Sequence, residues 1–269
     1  MSTNDPKTPM IGVQLMLDQA LMHFQAVRLD QARDICQHVL GQYPNHPRAL
    51  HISGKIAIEE GQFQQATDLV RRAIAAGPSE PIFRNTLGFV LCQQGRLAEA
   101  VEVYQDLVKL KPQDAEAHNT LGNLLTILGR YQEATEAYHI ALKLDPKMGL
   151  VNNNLGNVFQ AMGQYEQAVE AYRNALNFKS DYADAYNNLG VAFYSLKKYD
   201  EAIEASREAL RLDPNHADAY VNLGSIYKDM GRIEEAIAAL RTAVRLRPEA
   251  PLYQSILILT MHLRVESDM

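Results

Sequence analysis

Apolar residues recur along the chain at three- and four-residue spacing, in short runs that each close on a glycine or a proline. Leu121, Leu124, Leu125 and Leu128 are one such run, and they share one face of a helix. The spacing predicts a helix from about Ala115 to Leu128 and a second from about Tyr131 to Leu144. The whole pattern then repeats. Leu87-Gly88, Leu121-Gly122, Leu155-Gly156, Leu189-Gly190 and Leu223-Gly224 each lie 34 residues from the next. Pro44, Pro78, Pro112, Pro146, Pro214 and Pro248 keep this period, with Ser180 in the remaining slot, and so do Ala32, Ala66, Ala100, Ala134, Ala168, Ala202 and Ala236. Seven units of two helices follow without a gap: 13–46, 47–80, 81–114, 115–148, 149–182, 183–216 and 217–250. Residues 1–12 and 265–269 are left as tails, and 251–264 as a single further helix.

The punctuation has a physical reading. Gly129 falls where the first helix of its unit must reverse through a left-handed cap, and Gly61, Gly95, Gly163 and Gly231 match it. Val27 and Lys197 stand in the same slot, so those two turns are expected to be strained. The periodic proline stops the second helix. The glycine of Leu-Gly and the small alanine of the second helix let the paired helices approach closely. One pair cannot bury both of its faces, so successive pairs must stack to make a core.

These offsets carry a resemblance to the tetratricopeptide repeat. The sixth unit has Tyr186, Leu189-Gly190, Phe193, Ala202, Ala209 and Pro214; the fifth has Asn152, Leu155-Gly156, Phe159, Ala168, Tyr172 and Ala175. The first unit departs most, with Ala20 at the glycine and Cys36 at the second aromatic position. The resemblance covers residues 13–250. It implies an all-α, right-handed superhelical solenoid of seven helix pairs plus a C-terminal capping helix, with a concave groove lined by first helices. Such arrays bind protein or extended peptide, so the expected role is a non-catalytic scaffold holding a partner segment.

First-helix residues outside the packing offsets form columns. One offset holds Asn85, Asn119, Asn153 and Asn187; the next holds Thr86, Thr120, Asn154, Asn188 and Asn222; a third adds Asn123 and Asn157. An amide offers donors and an acceptor, so this ladder could pair with the backbone of an extended peptide. The same residues could instead cross-link neighbouring helices, or the two roles could divide between adjacent columns. Arg48 and Lys55 mark the N-terminal part of the groove, and Asp184, Asp218, Asp229 and Lys228 the C-terminal part. The paired-carboxylate clamp of chaperone-binding tetratricopeptide domains needs Lys and Arg beside Asn in adjacent units, and that set does not occur.

The last helix is unlike the rest. Ile258 stands at the glycine slot, and Ile256, Leu257, Leu259, Met261 and Leu263 make the helix apolar nearly all round. Ile256, Leu259 and Leu263 are therefore a second candidate interface, for self-association or for a downstream domain. Together with the Asn-Asn-Leu-Gly units, the segment Ser255–Met261 is similar to the repeat half of SPINDLY-type O-linked N-acetylglucosamine transferases. That likeness implies an acceptor-binding ladder in Asn154, Asn188 and Asn222, without the catalytic half. A self-assembling structural protein is the other alternative.

Composition narrows the chemistry. The chain has 269 residues and a net charge of −6 without runs of one sign, which disfavours a phosphate-neutralising nucleic-acid binder. Cys36 and Cys92 are too few and too far apart for a disulfide framework. His118 takes a packing slot, while His46 and His216 fall in turns between units. No motif supports catalysis, a cofactor or a metal site. No signal peptide or membrane-length apolar segment is evident, and a cytoplasmic location is expected.

Overall fold

The computed structural model describes residues 8–267, and among them every regular element is helical. In chain order the helices are α1 (Thr8–Gln25), α2 (Leu29–Gln42), α3 (Pro47–Glu59), α4 (Phe63–Ala76), α5 (Pro81–Gln93), α6 (Leu97–Leu110), α7 (Ala115–Ile127), α8 (Tyr131–Leu144), α9 (Gly149–Ala161), α10 (Tyr165–Phe178), α11 (Ala183–Ser195), α12 (Tyr199–Leu212), α13 (Ala217–Asp229), α14 (Ile233–Leu246) and α15 (Pro251–Ser267). The fold is an all-α solenoid of repeated helix pairs, in which odd-numbered helices are the first members. The chain forms two compact units, one ending at Gly129 and one starting at Arg130. In the first unit each helix from α1 to α6 packs on the next, and α3 also touches α1 and α5. In the second, α8 to α15 pack in the same succession, and α11 also touches α9 and α13.

Close packing follows the sequence period. The seven periodic alanines are all fully buried. A Cβ built on Gly156 would lie 2.5 Å from Cε1 of Tyr172, so the α9·α10 approach tolerates only glycine. The turns after the first helices share one geometry. Gly61, Gly95, Gly129, Gly163 and Gly231 have φ of 72–74°, and Val27 and Lys197 are held at 59° and 58°. In the turns at Val27, Gly61, Gly95, Gly163, Lys197 and Gly231 the reversal closes two bonds: Lys197 N–H reaches the Tyr194 carbonyl and Lys198 N–H the Phe193 carbonyl, both at 2.9 Å. Two L side chains are thus forced into a backbone region that favours glycine.

Second helices stop two residues before the periodic proline, as at Gln42 and Pro44, since the residue before proline is pushed out of helical conformation. Helix α10 stops at the equivalent Phe178 although Ser180 fills that slot. The described part of helix α1 starts at Thr8, so residues 8–12 of the segment read as a tail are helical. Helix α15 runs past 264 to Ser267, since neither glycine nor proline interrupts it. Residues 1–7 and 268–269 of the two tails lie outside the described residues.

Candidate functional site

The candidate site is the face that the first helices turn away from the second helices, and it is built differently in the two units. In the first, α1, α3 and α5 line a groove of about 720 Å³. Its walls include Asp18 and Leu21 from α1, Arg48, Ile52 and Lys55 from α3, and Ile82 from α5. Arg48 donates to the Asp18 carboxylate at 2.6 Å, and the Lys55 ammonium sits 4.5 Å from the centre of the Phe24 ring. These two cations are therefore tied into the wall. A smaller hollow of about 520 Å³ continues past Ile82, Asn85, Glu116 and Thr120.

The predicted polar columns emerge as rungs between successive first helices. His51 and Thr86 lie 35 residues apart, with Nε2 and Oγ1 separated by 2.8 Å. Thr86 gives its proton to the Ile82 carbonyl at 3.0 Å, so His51 is the donor of the rung. His51 is buried, its ring tilted by 45° against that of Phe83 at 4.8 Å between centres, and burial pushes its pKa down to about 4, with Lys55 adding to the shift. The same step recurs in the second unit. Asn188 Nδ2 donates to Asn153 Oδ1 at 3.3 Å, and Asn222 Nδ2 to Asn187 Oδ1 at 2.7 Å. His51 thus occupies the column of Asn85, Asn119, Asn153 and Asn187.

The individual amides divide by depth. Asn153 and Asn187 are buried and serve as rung acceptors. Asn188 is half-buried and also donates to Asn157 Oδ1 at 3.1 Å. Exposed Asn157 accepts a second bond from the Tyr172 hydroxyl at 2.8 Å. Asn187 Nδ2 reaches Asn188 Oδ1 at 3.5 Å, which joins the two rungs into one network over α9, α11 and α13. Among the described residues, nothing bonds Nδ2 of Asn157 or Oδ1 of Asn222. Asn154 and Asn222 are half-buried on the same face.

In the first unit the columns are less amide-like in behaviour. Exposed Asn85 accepts from the Tyr104 hydroxyl at 3.1 Å, and the Thr120 hydroxyl is spent on the Glu116 carbonyl at 2.9 Å. Asn119 and Asn123 are half-buried, and Asn119 Oδ1 is a buried acceptor without a hydrogen bond among the described residues. The groove residues Leu21, Ile52 and Ile82 were not among the predicted contacts. They hold the same repeat offsets as Asn123, Thr120 and Glu116, and reading those offsets across all units was the signal available.

The acidic residues each have a local hydrogen-bond partner. Tyr194 donates to Asp229 at 2.6 Å, His216 Nε2 lies 3.2 Å from Asp184, and Asp218 is held by Tyr253 and by Arg247 at 3.5 Å. His46 and His216 cap α3 and α13 by accepting from the N–H of Ala49 and Ala219. His118 is buried against the Pro112 carbonyl. On α15, Ile256 is half-buried, while Leu259 and Leu263 are exposed. Among the described residues, no group of three His, Cys, Asp or Glu side chains could hold a metal ion, and no helix is long and apolar enough to cross a membrane.

This paired-helix geometry, with its left-handed turns and close glycine contacts, is that of a helical repeat scaffold. Family models described as tetratricopeptide repeat match residues 57–124 and 193–257, and another matches 115–148. One described as TPR repeat matches 156–197. The chain belongs to the tetratricopeptide-repeat family. Among solved structures it is similar to YrrB, a TPR protein described as having an unusual peptide-binding site, at 24% identity over 69% of this chain and 96% of that one, with a TM-score of 0.58. It is similar to MamA at 26% identity, over 61% of this chain and 90% of that one, with a TM-score of 0.58. The C-terminal part of a TPR repeat-containing protein from Cytophaga hutchinsonii aligns over 90% of this chain and 99% of its own, at 14% identity and a TM-score of 0.74. No curated protein matches the chain.

Proposed function

We propose that the protein is a non-catalytic scaffold that holds an extended segment of a partner protein against the first-helix face of α9, α11 and α13. The observation that carries this is the amide network itself. Rungs between helices fix the Asn188 and Asn222 side chains, so these amides lose little rotamer freedom when a ligand arrives. Asn157 then offers a donor and Asn222 an acceptor, the two functions an extended backbone needs. Buried Asn153 and Asn187 are the supports, and half-buried Asn154 extends the face. The peptide-binding site that names YrrB supports the ligand class, and the amides of this chain supply the chemistry.

Selection of random peptides on the immobilised protein, followed by titration against an Asn157→Ala/Asn222→Ala variant, tests the proposal. Both residues reach solvent, so the helical circular dichroism is expected to be unchanged. A loss of about thirtyfold in affinity is expected, the value of two hydrogen bonds of about 1 kcal/mol each. Equal affinity for the variant, or no peptide selected at all, would overturn it. Enrichment of Ser and Thr in the captured peptides is the outcome that an acceptor-binding module requires.

A further inference from the structure

We infer that a second copy of this chain docks head to tail, α1 of one protomer covering α15 of its neighbour. The argument starts from what covers each first helix inside the array. Position 15 of the chain recurs as Ala49, Phe83, Ala117, Val151, Ala185, Ala219 and Tyr253, all buried, and position 22 recurs as Ile56, Val90, Leu124, Val158, Ala192, Ile226 and Thr260, also all buried. The partner is the preceding second helix. Ala49 and Ile56 cluster with Cys36 and Val39 of α2, Val90 with Ala66 of α4, and Tyr253 with Ala243 of α14. At the head of the array the same two positions hold Leu15 and Met22, which are 61% and 65% exposed. Ile11 extends their stripe by a turn and is exposed too.

Helix α15 presents the complementary end. The glycine slot of the interior units is buried against the second helix of the same unit, as Gly88 on Tyr104 and Gly224 on Leu240. In α15 that slot holds Ile258, 54% exposed. The next position on that face is buried from α3 to α13, as Ala57, Leu91, Leu125, Phe159, Phe193 and Tyr227, and here it is Met261 at 40% exposed. Terminal repeats of a soluble array ordinarily carry a polar outer face. Neither end does so here among the described residues.

Charge poses no obstacle. Residues 251–263 contain no Asp, Glu, Lys or Arg, and the one charge between 11 and 22, Asp18, is already paired with Arg48. The head-to-tail sense follows from continuity with the packing inside each unit, where successive helices cover one another in order. The free face of α1 is the kind that meets a preceding helix, and that of α15 the kind that meets a following one. Such a contact is heterologous and does not close on two copies by itself, so mass should grow with concentration.

Light scattering on the eluting full chain from about 1 to 100 μM tests this, the range in which a modest apolar contact populates. The wild type is expected to exceed the mass of a dimer at the upper end. A Leu15→Glu/Met22→Glu variant and an Ile258→Glu/Met261→Glu variant are each expected to remain monomeric alone. Mixed, they retain one good α15 and one good α1, and are expected to form a pair of twice the chain mass and nothing larger. A strictly monomeric wild type overturns the inference. So does a dimer formed by either variant alone, which would mean a symmetric contact instead. All four residues are exposed in the single chain, so circular dichroism is expected to hold. The amides are untouched, so peptide capture by the variants reads out the proposed function separately.

Discussion

The first-helix faces of the two units use the same repeat offsets for different chemistry. In α3 and α5 those offsets hold Arg48, Ile52, Lys55 and Ile82, Thr86, Phe89; in α11 and α13 they hold Asp184, Asn188, Val191 and Asp218, Asn222, Ser225. The first set walls a groove with apolar patches and anchored cations, whereas the second presents an amide network. Beneath both lies one packing scheme, in which a fully buried alanine recurs in every helix pair and a close glycine in every pair but the first, where Ala20 stands. The difference teaches that this architecture separates what holds the helices together from what faces a ligand. Even the rungs obey this, being His51 to Thr86 in one unit and Asn to Asn in the other.

The largest expected effect attacks the shared scheme. Gly156→Leu drives a side chain into Tyr172, already in conflict with a bare Cβ at 2.5 Å. It should cost about 3 kcal/mol or more in a urea titration, and Gly88→Leu against Tyr104 should cost a similar amount. Unequal costs would break the claim that both units pack alike.

The rungs should differ in their response to pH. His51 has a pKa of about 4 in the folded chain against an ordinary 6.5. Below pH 6.5 the unfolded chain takes up a proton that the native chain refuses. Stability should therefore fall between pH 6.5 and 4, by an amount on the order of 3 kcal/mol, and level off below. His51→Gln keeps a donor for Thr86 and should flatten that part of the profile in chemical denaturation. The asparagine rungs have nothing to titrate there. Asn187→Ala should instead cost about 1–2 kcal/mol at every pH, because it leaves the Asn222 amide without its acceptor.

The smallest effects lie in the turns. Val27→Gly and Lys197→Gly relieve a left-handed backbone and should each stabilise by about 1 kcal/mol, read as a raised denaturation midpoint. The valine should gain more, being β-branched.

Much of this was legible in the sequence because the fold is periodic. Val27 and Lys197 could be marked as strained from their slot alone, and Ser180 could be aligned without its proline. The candidate site was harder to read. Columns one residue apart sit about 100° apart on a helix, and that rotation separates buried Asn153 and Asn187 from half-buried Asn154, Asn188 and Asn222. Which column turns toward the next first helix depends on how the pairs stack, a tertiary fact. Ile52 and Ile82 were hidden for the opposite reason, since apolar residues at helical spacing read as core. The exposure of Leu15 and Met22 needed the structure as well, because their equivalents in every other first helix are buried.

The most direct test of the account follows the side-chain amide resonances of the asparagines by NMR while a selected peptide is titrated in. The account predicts that the Nδ2 signals of Asn157, Asn188 and Asn222 shift and saturate together, while those of Asn85 and Asn119 stay in place. Shifts confined to Asn85 and Asn119, or peptide binding that leaves all five unmoved, would contradict it.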